Sequence, residues 1–181
     1  MGIKNYKKLD NLELVQFALF SLYSSSKYTS GSNFLLLSPD AGASKKVDKI
    51  SKKIGYEGDI IICSKVRDEE GKLTKTHVPL NIHPDITLDY DILILDDICD
   101  GGRTFINIAK EIKSNKQFIG KLYLIVTHGI FSAGFTDLSE YFDGIYCTNS
   151  YKELTFSDWG LEGEEFRKNE QYKQLVKQLN I

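Results

Sequence analysis

Proline is scarce in this chain: Pro39, Pro79 and Pro84 are the only three in 181 residues. No Pro-rich linker, internal repeat or low-complexity tract divides the sequence, so residues 1–181 read as one domain with one long loop. Cysteine is as sparse. Cys63, Cys99 and Cys147 are odd in number and far apart, so neither a disulfide framework nor a zinc knuckle follows, and a reducing, cytoplasmic setting is the expectation. Apolar runs are short and interrupted, so no membrane span is expected. Nor does an apolar core of signal-peptide length follow Met1–Lys7. An excess of charge of one sign is missing too: 23 Lys and Arg stand against 25 Asp and Glu, a formal net charge of −2. That balance excludes a basic envelope around nucleic acid and leaves only local patches. What remains is an ordinary globular composition, 41% hydrophobic and 27% charged, long enough for a well-buried core.

The apolar residues fall into alternating kinds of segment. A helix is expected from Asn11 to about Tyr23, and a Ser- and Gly-rich loop follows it. Phe34–Leu37 is a short continuous apolar run ending at Ser38-Pro39-Asp40, as suits a strand buried on both faces. Val47, Ile50 and Ile54 then recur at helical spacing. Asp59–Cys63, Asp91–Leu95, Leu122–Val126 and Gly144–Cys147 are further strand candidates. Helical stretches from Arg103 to about Asn115 and around Leu138–Phe142 separate the later ones. A terminal amphipathic helix is expected at about 162–179. This order predicts an α/β fold, three-layered, with a mainly parallel sheet and helices on both faces. Ligands of such sheets bind at the carboxyl ends of strands where the strand order reverses, which directs attention to the tips.

One tip stands out. In Asp91-Ile92-Leu93-Ile94-Leu95-Asp96-Asp97-Ile98-Cys99-Asp100-Gly101-Gly102-Arg103-Thr104, an apolar strand runs into two carboxylates and then a Gly-containing loop that opens a helix. Carboxylates at a strand tip accept hydrogen bonds from paired hydroxyls or hold a hard cation. Gly101 and Gly102 allow close backbone approach, and helix-initiating amides with the Thr104 hydroxyl suit a phosphate. A polyol at one end and a phosphate at the other describe a sugar phosphate. No Gly-Lys-Ser/Thr follows the glycines, which removes support for a Walker loop.

This string resembles the phosphoribosyl-diphosphate (PRPP) signature of the type I phosphoribosyltransferases. The resemblance implies that Asp96 and Asp97 hold the ribose hydroxyls and that Asp100, Gly101, Gly102, Arg103 and Thr104 hold the 5′-phosphate. Arg103 departs from the pattern, standing where many members have a small residue. Ser38-Pro39-Asp40-Ala41-Gly42 is similar to the pyrophosphate loop of the ribose-phosphate pyrophosphokinases (PRPP synthetases), which implies pyrophosphate binding by Ser38, Asp40, Ala41 and Gly42 and a magnesium site at Asp40. Thr127-His128-Gly129 and Thr148-Asn149 fit the same family, and His128 is expected to play a hydrogen-bonded structural role. Together the matching stretches span residues 34–149.

In that family a Lys-x-Arg pair opens a mobile loop over the transferring phosphates, so Lys65 and Arg67 are the implied catalytic cations of a loop or hairpin at about 64–84. Two cations on a hinged loop can stabilise charge developing on a pyrophosphoryl group while excluding water. Read without the resemblance, they are cations of a solvated hairpin. Lys45, Lys46, Lys49, Lys52 and Lys53 read as a solvated helix face, and Trp159 as a core or interface residue.

The implied function is a stand-alone phosphoribosyltransferase-type enzyme of nucleotide or cofactor metabolism, binding PRPP or ribose 5-phosphate with Mg2+. A homo-oligomer is the implied state, with no nucleic-acid or membrane partner. Two alternatives stay open: the catalytic half of a ribose-phosphate pyrophosphokinase needing a partner subunit for the ATP-binding half, or a non-catalytic PRPP-binding regulatory protein.

Overall fold

The computed structural model describes residues 11–23, 34–67, 73–80, 89–154 and 175–180. Helix α1 (Asn11–Tyr23) precedes strand β1 (Phe34–Ser38), helix α2 (Ala41–Lys53) and strand β2 (Ile60–Ile62). Strands β3 (Ser64–Arg67) and β4 (Leu73–His77) form an antiparallel pair apart from the main sheet. Strand β5 (Asp91–Cys99), helix α3 (Arg103–Ser114), strand β6 (Leu122–Gly129), the short helix α4 (Thr136–Ser139), strand β7 (Gly144–Thr148) and strand β8 (Val176–Leu179) complete the order. The six-stranded sheet runs β2-β1-β5-β6-β7-β8, and every pairing in it is parallel. The chain builds outward from β1 to β2, then returns to the other side of β1 for β5. The strand order therefore reverses between β1 and β5, whose tips bound the crevice such a sheet offers a ligand.

Strand alternation explains the two cores. Leu36, Leu93, Leu95, Tyr123, Ile125 and Tyr146 face α1 and α2, where Leu14, Val15, Ala18, Val47 and Ile50 cover them. Their chain neighbours Leu37, Ile92, Ile94, Leu122, Leu124 and Val126 face the other way, onto Phe105, Ile108, Ala109 and Ile112 of α3. Continuous apolar runs such as Phe34–Leu37 follow from this, because both faces of a parallel strand are covered. The α/β architecture is the one expected. No helix among the described residues is long and apolar enough to cross a membrane. All three cysteines are free and buried, and burial is the main cause of thiols pushed up to about 12, which removes thiolate chemistry near neutral pH.

One expectation is corrected. Val176–Leu179, the end of the helix expected at about 162–179, is strand β8, paired in parallel with β7 from Ile145↔Val176 to Thr148↔Leu179. Leu175, Val176 and Leu179 fit a helical period, yet four residues gain more from the open edge of β7 than from an isolated turn. Gln178 clasps the edge strand: its side chain donates to the Lys152 carbonyl at 2.9 Å and the Thr148 carbonyl at 3.2 Å, and accepts from the Leu154 amide at 3.1 Å. Residues 162–174 of that expectation, and Trp159, lie outside the described residues.

The amino end of the sheet leaves no room for a methyl group at Gly120. A Cβ there would stand 1.9 Å from the backbone carbonyl oxygen of Tyr90, which cannot move without disturbing the start of β5. Gly120→Ala is therefore expected to lower unfolding stability by at least ~2 kcal/mol, read as a shift in urea midpoint at unchanged slope. A change below ~0.5 kcal/mol would refute this account of the turn.

Candidate functional site

At the carboxyl end of β1, Ser38 is buried and its hydroxyl donates to the Asp40 carbonyl at 2.7 Å. Asp40 is the N-cap of α2. Its Oδ1 accepts from the amides of Gly42 at 2.9 Å and Ala43 at 3.1 Å, satisfying two donors that a helix start leaves without an internal partner. Its Oδ2 takes an ion pair from Lys65 Nζ at 3.1 Å. Burial alone would push the Asp40 carboxyl up, but Lys65 and the two amides outweigh it and hold the group below its ordinary value. Ala41 and Gly42 are exposed on the first turn. Lys65 thus reaches from the β3–β4 hairpin to the loop after β1. Arg67 closes β3, and its side chain, like the hairpin turn and residues 81–84, lies outside the described residues.

At the carboxyl end of β5 the two acids part company. Leu93 and Leu95 belong to the α1–α2 face, whereas Ile92 and Ile94 belong to the α3 face. Continuing that alternation sends Asp96 toward α3 and Asp97 toward α1 and α2. A cavity of about 300 Å3 gathers Asp40, Lys65, Asp96 and the stretch Asp100–Phe105. Asp97 is absent from its lining. Instead Asp97 Oδ1 accepts from the Asn11 side-chain amide at 2.9 Å, and Oδ2 is paired with the Lys46 ammonium. Asp96 lines this cavity and, together with Asp97, the adjoining crevice between α1 and α2, so the expected ribose pair stands side by side where the two meet.

The loop between β5 and α3 supplies the far wall. Gly102 is the N-cap of α3 with φ +75° and no side-chain cap, a left-handed conformation that glycine adopts without strain. A Cβ there would also crowd Leu138 at 3.2 Å. The amides that begin a twelve-residue helix thus lie beside the cavity without a side-chain cap, next to the Thr104 hydroxyl and the exposed Arg103. Helix starts of this kind attract anions. The wall opposite is acidic, so the cavity is polarised from carboxylates to amides.

Asp96 is the strained carboxylate. Burial first, and then the charge of Asp40, push it up to about 6, against partial relief from Lys46 and Lys65. Its Oδ1 accepts the Asp97 amide at 2.8 Å. Two oxygen-bearing groups repelling one another in one cavity suit a divalent cation, which relieves that repulsion. Mg2+ is commonly held by one or two carboxylates with ligand oxygens and waters. Among the described residues no group of three or more His, Cys, Asp and Glu could hold a metal by itself.

His128 is hydrogen-bonded: Nδ1 lies 2.6 Å from the Ser150 hydroxyl, and Thr148 Oγ1 donates to the Thr127 carbonyl at 2.6 Å, which ties the tips of β6 and β7. Lys46 and Asn11 were not singled out from the sequence. Lys46 belonged to a string of lysines, and only its pairing with Asp97 distinguishes it. Asn11 contacts a residue 86 positions away, with no local signal to announce it.

No protein-family model matches the chain. Among curated proteins it is 33% identical over 119 residues to the ribose-phosphate pyrophosphokinase of Mycoplasmopsis pulmonis, covering 65% of this chain and 35% of that protein. It is 32% identical over 123 residues to the ribose-phosphate pyrophosphokinase of Ureaplasma parvum, covering 68% and 34%. The chain spans about a third of the length of these curated relatives. Among solved structures, phosphoribosylpyrophosphate synthetase from Mycobacterium smegmatis matches with a TM-score of 0.65 at 16% identity, over 94% of this chain and 46% of its own. APRTase from Giardia lamblia matches with a TM-score of 0.51 at 8% identity, over 75% and 77%. These two likenesses establish a shared fold.

The raised Asp96 pKa has a definite consequence for stability. The folded chain binds the Asp96 proton more tightly than the unfolded chain does, so this group favours folding most below its ordinary value of 3.8 and loses that contribution as pH rises through about 6. Asp96→Asn, which cannot ionise, is expected to be more stable than wild type above pH 7 by on the order of 1 kcal/mol and indistinguishable from it near pH 4. Thermal melts across that range check the sign. A variant less stable at pH 7.5 than at pH 4, relative to wild type, would contradict it.

Proposed function

We propose that this chain, a relative of the ribose-phosphate pyrophosphokinases on the type I phosphoribosyltransferase fold, is a phosphoribosyltransferase-type enzyme that binds PRPP or ribose 5-phosphate. The observation that carries the reading is a cavity at the β1–β5 reversal, acidic at one end and helix amides at the other. In this reading the 5′-phosphate rests on the loop Asp100–Thr104, where amides, the Thr104 hydroxyl and the Arg103 guanidinium offer donors. Asp96 accepts from the ribose hydroxyls, and its ionised form, disfavoured when the site is empty, gains the donors that it lacks. The pyrophosphate end lies at Ser38–Gly42, with Lys65 able to leave Asp40 for a phosphate oxygen and Arg67 following on the same strand.

Asp40 and Asp96 are the residues that would hold Mg2+, which supplies charge neutralisation to the pyrophosphate. The protein's part is positioning. An acceptor forms a bond to the anomeric carbon as the bond from that carbon to pyrophosphate breaks, and the electron pair leaves with pyrophosphate. Lys65 stabilises the charge that develops there, and the closed hairpin excludes water. The three free thiols agree with a cytoplasmic location, and a homo-oligomer belongs to the same proposal.

A second reading follows from the sequence likeness to ribose-phosphate pyrophosphokinases over part of their length. There the same cavity holds ribose 5-phosphate, and a partner subunit brings ATP.

Calorimetry with ribose 5-phosphate and with PRPP, each with Mg2+ and with chelator, tests the shared core of both readings. Binding is expected for at least one ligand, weakened more than tenfold by Asp96→Asn. Pyrophosphate release from PRPP across a panel of bases is expected to fall about 10²-fold in Lys65→Ala, whereas AMP release from ATP and ribose 5-phosphate would favour the second reading. No binding of either sugar phosphate sinks both.

A further inference from the structure

The stretch Thr127-His128-Gly129 enters no step of the proposed reaction, yet its histidine stands at the ligand end of the sheet. His128 pairs with Ile98 between β6 and β5, and Ile98 lines the cavity. His128 itself is exposed. Three short contacts run inward from its ring: Nδ1 to Ser150 Oγ at 2.6 Å, Ser150 Oγ to Thr148 Oγ1 at 2.7 Å, and Thr148 Oγ1 to the Thr127 carbonyl oxygen at 2.6 Å. The β6–β7 register slips between Val126 and His128. Thr127 therefore has no register partner on β7, and its carbonyl takes a side-chain hydroxyl instead.

Counting protons fixes the direction of this chain. A carbonyl oxygen only accepts, so the 2.6 Å contact at Thr127 requires the Thr148 proton. Thr148 Oγ1 must then accept from the Ser150 hydroxyl, and it also accepts the Ser150 amide at 3.2 Å. With its one proton so placed, the Ser150 hydroxyl can only accept from the imidazole. Ser150 has a second path, to the Thr127 carbonyl at 3.4 Å, but using it would strip the proton from one of the two short contacts between oxygens. Nδ1 therefore carries a hydrogen, and in the neutral ring Nε2 keeps its lone pair. Among the described residues the ring makes no other hydrogen bond.

We propose that His128 is a binding residue for the acceptor substrate: the hydroxyl chain holds it as the Nδ1–H tautomer, and Nε2 accepts from an N–H or O–H of the attacking group. The ligand part of this inference rests on the phosphoribosyl-transfer reading, whereas the tautomer stands on the hydrogen bonds alone. In that reading pyrophosphate lies at the tip of β1 and ribose at the tip of β5. Displacement at the anomeric carbon needs the acceptor aligned opposite the leaving group. The sheet order β1-β5-β6 makes the tip of β6 the next one beyond the ribose, and His128 stands there. A planar nitrogenous base carries ring N–H and amino donors along its edge, which an unprotonated ring nitrogen can receive. Fixing the tautomer and the ring before binding lowers the ordering cost of that contact.

Nitrogen-15 NMR of the free protein at about pH 8, where an ordinary imidazole is neutral, reads the tautomer directly. Nδ1 is expected to carry the hydrogen in wild type, and Ser150→Ala is expected to shift the ring toward the Nε2–H form. An Nε2–H ring in wild type overturns the proposal. Pyrophosphate release from Mg2+-PRPP, with adenine, hypoxanthine and uracil as probes, tests the binding role. His128→Asn keeps an amide donor where Nδ1 stood and removes the atom at Nε2. It is expected to raise the KM of the base that wild type uses by about tenfold, with kcat and PRPP binding within twofold. His128→Gln, which returns an acceptor at the longer reach, is expected to recover part of that loss. An unchanged base KM in His128→Asn leaves the ring a structural tie and overturns the proposal while the functional reading survives. Pyrophosphate release with none of the bases in wild type sinks the transfer reading, and the acceptor role with it.

Discussion

The parallel pairing of β1 with β5, from Phe34↔Asp91 to Leu37↔Ile94, is the constraint on which the rest of the molecule depends. It joins two segments separated by more than fifty residues and sets Ser38–Asp40 beside Asp96–Asp97. Between them in sequence lie α2, β2 and the β3–β4 hairpin; β2 pairs with the outer edge of β1, while α2 packs across both β1 and β5. Because a parallel crossover cannot be closed by a tight turn, the chain must carry a helix back across the sheet, and that helix begins at the tip. Its amides, its cap and its lysines come to the site as a consequence of topology.

The same pairing explains why the site is electrostatically divided. Both strand tips end in acids and both are followed by helix starts, so carboxylates and helix amides are forced into one space. Asp40 resolves its own conflict by capping α2 and pairing with Lys65. Asp97 does so through Asn11 and Lys46. Asp96 has only the Asp97 amide among its short bonds, and its burial and the neighbouring Asp40 leave it with the largest upward shift among the described carboxylates. A cavity in which one carboxylate is left short of donors is prepared for a ligand that brings them.

The strands were legible because parallel strands covered on both faces must be continuously apolar, and Phe34–Leu37 and Ile92–Leu95 could be read as nothing shorter. The loop Asp100–Thr104 was legible for a similar reason: two glycines and a threonine between a strand and a helix narrow the local geometry sharply. The fate of Asp97 was not. A motif read as a string treats both acids as one feature, and the residues that contact Asp97 lie 86 and 51 residues away. Strand β8 escaped for a different physical reason. Val-Lys-Gln-Leu satisfies either period over four residues, and the decision rests with the free edge of β7 and the Gln178 clasp, neither of which is local.

Stability and binding pull in opposite directions at Asp96. Burial of a carboxylate beside another acid is unfavourable in the folded chain at neutral pH, and no packing contact in the vicinity removes that cost. It persists because the register of β5 between β1 and β6 is fixed by apolar residues below the tip, Ile92, Ile94, Leu93 and Leu95, all nearly or fully buried. The sheet core thus supplies the stability that holds an unfavourable charge in place, in keeping with the concentration of perturbed ionisations at functional sites. Among the described carboxylates, the one that burial pushes up furthest is also the one placed to recognise hydroxyl donors.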